Sequence, residues 1–267
     1  MYVRDEDAIQ SLIAFGARHR LVIAWWLMKN HDWVDVTPGF NHAKPDKNAL
    51  ALEVFAQYMA QLECLQMAYF ALRDKAKNRR KSLLAIYQDI AIREHFRRAK
   101  PSPKEYSGRR ILLELRRISV ERFRQHLGLP IFEELAAAAC GKPPGAKRLT
   151  KREYNKQLRT LIDWIRHAVA NKKHRHMVKA FMKMKHGFPV LGHPESDEVF
   201  VVYETKQRTS NMCVARVLPL NNSPEFLKTL EEDTALVGFM VIKLFRLYLR
   251  CNPWQDCEAC TSCEARG

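Results

Sequence analysis

Apolar residues recur at intervals of three and four over most of the chain, the spacing that lines one side of an α-helix. The first run predicts a helix from about Asp5 to Lys29, with Ile9, Leu12, Ile13, Leu21, Trp25 and Trp26 as its apolar surface. A polar loop with Pro38, Gly39 and Pro45 ends it. A second helix opens near Asp46 and carries Leu50, Val54, Tyr58, Leu62, Leu65, Tyr69 and Leu72. The basic turn KNRRKS leads to a third, Leu83 to about Arg98, which PSPKEYSG breaks with two prolines and a glycine. Shorter helices are expected around Ile111 to His126 and Pro130 to Cys140.

The segment GKPPGAK can continue neither a helix nor a central strand and reads as a linker. Beyond it, Thr150 and Glu153 form a capping box for a helix that should run to about His174. After Gly187 the period changes. EVFVVYETK and NMCVARVLPL are rich in β-branched residues and flank the polar QRTS, which predicts a β-hairpin over roughly residues 198 to 218. Ser223, Pro224 and Glu225 then open a closing helix to about Arg250. The fold class expected is mainly α, a helical bundle with one β-hairpin near residues 198–218 and a Cys-rich C-terminal tail. The organisation expected is a helical region 1–140, a helical region 149–250 containing the hairpin and a tail 251–267, with one integrated domain as the alternative.

Composition narrows the partners. The chain has 267 residues, 47% of them hydrophobic, enough for one large core or two smaller ones. Lys and Arg outnumber Asp and Glu by 45 to 29, a formal charge of +16, so the long-range field attracts polyanions, with nucleic acid first. MYVRDEDAIQ has no basic region followed by an apolar run, and TALVGFMVIKLFRLYL is interrupted by Lys243 and Arg246. No membrane association is expected, and a cytoplasmic location is the simplest reading. The cysteines number seven, an odd count that suits thiols or metal ligands better than disulfides.

Candidate chemistry gathers in IRHAVANKKHRHMVKAFMKMKHGF. On the preceding helix Leu158, Leu161, Ile162, Ile165, Ala168 and Val169 share one side and must face the core, while Arg159, Asp163, Arg166, His167, Asn171 and His174 fall on the other. A solvated basic face is the plain alternative. The sharper reading notes that an imidazole moves protons near neutral pH and a guanidinium stabilises charge developing on phosphate. Together they suffice for RNA cleavage without a metal, the ribose 2′-hydroxyl attacking the adjacent phosphate. Lys183, Lys185 and His186, with Arg159, would form a phosphate-binding rim, and Phe181 could stack on a base.

This arrangement resembles the HEPN superfamily of ribonucleases and their inactive relatives, whose motif is an arginine, a polar residue and then a histidine, with four to six residues between arginine and histidine. Arg166 and His167 match the first two positions. The shortest spacing places Asn171 where the family has histidine, and His174 lies one residue beyond the longest. The resemblance implies a helical bundle, a homodimer whose two motifs face one RNA cleft, and Arg166, His167, Asn171 and His174 as catalytic positions. It covers about Arg159 to Gly187, and the departure at Asn171 bears directly on activity.

The tail RCNPWQDCEACTSCEARG places Cys251, Cys257, Cys260 and Cys263 within a few turns of chain. Four thiolates complete a tetrahedral zinc site, and the same spacing suits an iron–sulfur cluster less well. Reduced thiols on a free tail are the alternative. Cys64, Cys140 and Cys213 read as packing residues. Three functional classes stay open: a HEPN-like RNA endonuclease or inactive relative, a non-enzymatic nucleic-acid-binding or assembly protein, and a cysteine-ligated metal sensor.

Overall fold

The computed structural model describes residues 4–29, 47–96, 108–138, 150–170, 190–192, 198–203, 214–219 and 223–249. Side chains are described in those ranges except for residues 15–16, 21, 28, 47–50, 93–96, 137–138 and the strands. The elements in order are α1 (Asp5–Ser11), a π-helical segment (Leu12–Arg18), α2 (His19–Lys29), α3 (Lys47–Lys77), α4 (Leu83–Phe96), α5 (Gly108–Leu115), α6 (Val120–Leu127), α7 (Phe132–Ala138), α8 (Lys151–Ala170), β1 (Val190–Gly192), β2 (Glu198–Tyr203), β3 (Val214–Pro219) and α9 (Pro224–Tyr248). The chain divides into a unit of Met1–Ala17, Glu63–Ala170 and Val237–Gly267 and a second unit of Arg18–Leu62 and Asn171–Leu236. The division falls inside the π-helical segment, α3 and α9.

In the first unit α3 is enclosed on every side over Ala68, Tyr69, Phe70, Ala71, Leu72 and Arg73, six consecutive buried residues, which no half-exposed helix allows. The same unit buries Leu83, Ile86 and Ile90 of α4, Ile111 and Leu115 of α5, Phe123 and Leu127 of α6, and Leu244 and Phe245 of α9. Asp5 of α1 ties two neighbours, its Oδ1 accepting from the Leu83 backbone N–H at 2.7 Å and its Oδ2 pairing with Lys75 at 2.8 Å. Gly128 ends α6 at φ 64°, a left-handed conformation that disfavours any side chain, and a Cβ there would lie 3.3 Å from the Ala76 Cβ. The second unit has its own apolar centre in Ala51, Val54, Phe55 and Tyr58 of α3, Ala24 of α2, and Leu227 and Leu230 of α9.

The run predicted as one regular helix from Asp5 to Lys29 is helical but not regular. Residues Leu12–Arg18 form a π-helical segment, with wider turns than the α-helix on which a 3.6-residue count rests. Ile9, Ile13, Ala17 and Ala24 are buried, whereas Trp25 and Trp26, expected on the same apolar surface, are 46% and 53% exposed. The capping box is formed as predicted: the Thr150 N–H donates to Glu153 Oε2 at 2.8 Å and the Glu153 N–H to Thr150 Oγ1 at 3.2 Å.

The expected fold class is corrected in its β part. A helical bundle carrying one β-hairpin at residues 198–218 does not describe the chain: the described strands form a three-stranded antiparallel sheet in the order β1–β2–β3, with Val201 opposite Val190 on one side and Arg216 on the other. Residues 198–203 are therefore a central strand. A two-stranded ribbon leaves both of its outer edges unpaired, and β1 occupies one of them. The class remains mainly α, since the described core is built by helices and the short turns between them.

Candidate nucleic-acid interface

The face of α8 is settled by its buried stripe. Tyr154, Leu158, Leu161, Ile162, Ile165 and Ala168 are buried, and the helix packs against α5 and α6. That docking turns Arg159, Arg166 and His167 toward the connection between α5 and α6. Residues 111 to 126, predicted as one helix, are two, with a tight turn over Arg116, Arg117 and Ile118 and Ser119 as the N-cap of α6. The Ser119 Oγ accepts from the Arg122 N–H at 3.1 Å, and the Ile118 N–H donates to the Leu115 carbonyl at 3.2 Å.

Two arginines of α8 brace this turn. Arg166 donates from both Nε, at 3.0 Å, and Nη2 to the Leu115 carbonyl, and from Nη1 to Asp163 Oδ1 at 2.8 Å. Leu115 O belongs to the last turn of α5, where carbonyls lack helical partners and a cation is favoured by the helix dipole. Arg159 Nη1 donates to the Ile118 carbonyl at 3.1 Å, holding the other end of the turn.

Between α8 and the turn lies an open groove of about 810 Å³. Its polar lining is Arg116, Arg117, Ser119, Arg159, Arg166 and His167, over an apolar floor that includes Leu112 and Ile118. Arg116, Arg117 and His167 are exposed and have no ion-pair partner among the described residues. Four guanidiniums around one depression attract phosphate groups by charge and by hydrogen bonding.

Between the groove-lining Leu112 and Arg116, α5 carries a largely buried acid on another side. Glu114 Oε1 accepts from Arg73 Nη1 at 2.9 Å and Arg110 Nε at 2.8 Å, while Oε2 accepts from the Tyr69 hydroxyl at 3.2 Å and lies 3.1 Å from His126 Nε2. Burial alone would raise the pKa of this carboxyl, but the bonds from His126 and Arg110 and the charge of Arg73 outweigh it and hold the group down at about 2. The Tyr69 hydroxyl is pushed up, first by burial and then by the Glu114 charge. The network ties α3, α5 and α6 together and so fixes the base of the groove.

A second buried charge is Lys243 of α9, 5% exposed, with its ammonium 4.1 Å from the Phe239 ring centroid and 5.4 Å from that of Trp164. Burial pushes its pKa down to about 8. Because the unfolded chain then binds more protons at this residue, its contribution makes stability rise as pH increases from about 8 to 10. Denaturant unfolding at both pH values is expected to show that rise in the wild type and a smaller one in Lys243→Met.

Of the residues singled out in the sequence, the structure brings together Arg159, Arg166 and His167 on one wall of the groove. Asn171, His174, Lys183, Lys185 and His186 lie outside the described residues, as do Cys251, Cys257, Cys260 and Cys263. Among the described residues no group of three or more His, Cys, Asp or Glu side chains could hold a metal ion, and no helix is long and apolar enough to cross a membrane. Sequence reasoning missed Arg116, Arg117 and Ser119. The buried positions step by five residues from Ile118 to Phe123, which slips the helical phase at the turn, and apolar Val120 between them masks the step in the sequence. No family model, no curated protein and no solved structure matches this chain.

Proposed function

We propose that the protein binds nucleic acid, with RNA first, through the groove between α8 and the α5–α6 turn. The observation that carries this reading is the convergence of Arg116, Arg117, Arg159 and Arg166 on one open depression in a chain of formal charge +16. Within the HEPN-like reading, the engagement of Arg166 with Leu115 O and Asp163 favours an inactive, RNA-holding relative over a nuclease, because that guanidinium already has three of its donors in use. The ribonuclease reading keeps one observation of its own, the exposed His167 beside Arg166 on the groove wall. A metal-free cleavage assay on single-stranded RNA separates the two: the binding protein leaves the RNA intact, and a nuclease cuts it and loses that activity in His167→Ala.

Binding itself is tested by fluorescence anisotropy with a labelled single-stranded RNA at rising salt. Each neutralised phosphate adds about 0.7 to the slope of log affinity against log salt, so two to three contacts predict a loss of roughly tenfold between about 50 and 200 mM. Salt-independent binding, or none at low salt, sinks the proposal. Dimerisation through this face is part of the HEPN-like reading and is read from the mass in solution. Zinc at Cys251, Cys257, Cys260 and Cys263 is proposed on their spacing alone: metal analysis should find about one zinc per chain, lost in Cys257→Ser with Cys260→Ser.

A further inference from the structure

The arginines of the groove fall into two kinds. Those on α8 bond the turn: Arg166 grips the carbonyl that opens it through two donors and Arg159 the carbonyl of Ile118 near its close through one. Those on the turn make no such bond. Arg116 and Arg117 are exposed, and neither makes a side-chain hydrogen bond or ion pair among the described residues. Arg117 also sits at φ 57°, the one non-glycine residue with positive φ among the described residues. A left-handed backbone costs a residue with a Cβ on the order of 1 kcal/mol, and glycine or asparagine would hold the same turn with less strain. With the carbonyls of Leu115 and Ile118 held by Arg166 and Arg159, the backbone of the turn is braced on both sides, and it sets the direction in which the Arg117 side chain leaves the chain beside the groove.

We infer that the Arg116–Arg117 turn is the element that contacts phosphodiester groups, and that Arg159 and Arg166 are positioning residues that hold it in shape. This rests on the nucleic-acid reading above and assigns the contacts within it. An unpaired guanidinium gains a full charge-assisted bond from a phosphate and releases a counterion, whereas Arg166 already has its charge partnered by Asp163 and three of its five donors engaged, and Arg159 is tethered through one donor to Ile118 O.

The two roles differ in what salt does. With a labelled single-stranded RNA, Arg116→Ala and Arg117→Ala should each weaken binding several-fold at low salt and each lower the salt slope by about 0.7, because each removes one ion contact. Arg166→Lys keeps the charge but cannot donate two bonds to one carbonyl, so it should weaken binding while leaving the slope unchanged. Arg117→Gly relieves the backbone and should lose affinity as Arg117→Ala does with a melting temperature equal to or above that of the wild type. Unchanged slopes in both alanine variants, together with a reduced slope in Arg159→Ala or Arg166→Ala, would overturn the assignment and leave the groove as the binding site. A wild type with no salt-dependent RNA binding overturns the function and the assignment together. Arg116→Ala alters an exposed side chain without partners, so its result does not hinge on whether an α8 variant folds.

Discussion

Replacing Glu114 by alanine is expected to cost about 3 kcal/mol of stability at neutral pH, because it removes one of the two carboxylates that pair with buried Arg73. The side chain of Arg73 is 6% exposed and that of Glu114 12%, so water cannot take the place of the missing carboxylate. Asp74 remains beside Arg73 at 2.8 Å, which puts the expected loss at the lower end of the range for a broken buried pair. The same network predicts a pH dependence with a definite sign. With its folded pKa held at about 2, below the ordinary 4.5, Glu114 contributes stability that is complete above the ordinary value and is lost as pH falls from there toward 2. Glu114→Gln keeps the shape without the charge and should flatten that acid limb. Urea unfolding of the wild type and both variants between pH 7 and about pH 3 measures each effect. An alanine variant as stable as the wild type would show that the hub does not hold α5 against α3 and α6.

Phe123→Ala should be at least as damaging, about 3 to 5 kcal/mol, since Phe123 has no exposed surface and the small side chain leaves a cavity that helices can only partly close. Phe123 lies on the buried side of α6, which is capped by Ser119 and contacts α8. Loosening α6 therefore loosens the groove turn as well, and RNA affinity should fall with the folded fraction. This distinguishes it from Arg116→Ala, where affinity falls and stability does not. Thermal melts and anisotropy on the same samples separate the two. A Phe123→Ala protein of wild-type stability would mean that this part of the core repacks freely.

The buried stripe of α8 was legible from periodicity, since Leu158, Leu161, Ile162 and Ile165 recur at helical spacing and their burial follows from it. That stripe also assigned Arg159, Arg166 and His167 to the outward face. Their partners were not legible. Arg166 meets a carbonyl 51 residues away, Arg159 one 41 away, and Glu114 finds Tyr69 and Arg73 at separations of 45 and 41. The break at Arg116 to Ser119 escaped because Ile111, Leu115 and Ile118 keep helical spacing into the turn and Val120 and Phe123 carry the apolar pattern on, while the buried positions step by five from Ile118 to Phe123. The π-helical segment escaped for a related reason: Trp25 and Trp26 fit a regular helix begun at Asp5, and a change of pitch leaves no mark in spacing counted at a fixed 3.6 residues per turn.

The sequence by itself determined what depends on neighbours within a few turns: the main helices, the Thr150–Glu153 cap, the core face of α8 and the cationic character of the surface. Tertiary structure decided what depends on distant segments meeting. It placed residues 198–203 in the middle of a sheet, spent Arg159 and Arg166 on a turn of another helix pair, and left Arg116 and Arg117 with charges that face solvent. The reason is physical. Helix formation is governed by bonds between residues four apart, while the use of a guanidinium is governed by whichever unpaired carbonyl or carboxylate the packing of helices brings within about 3 Å.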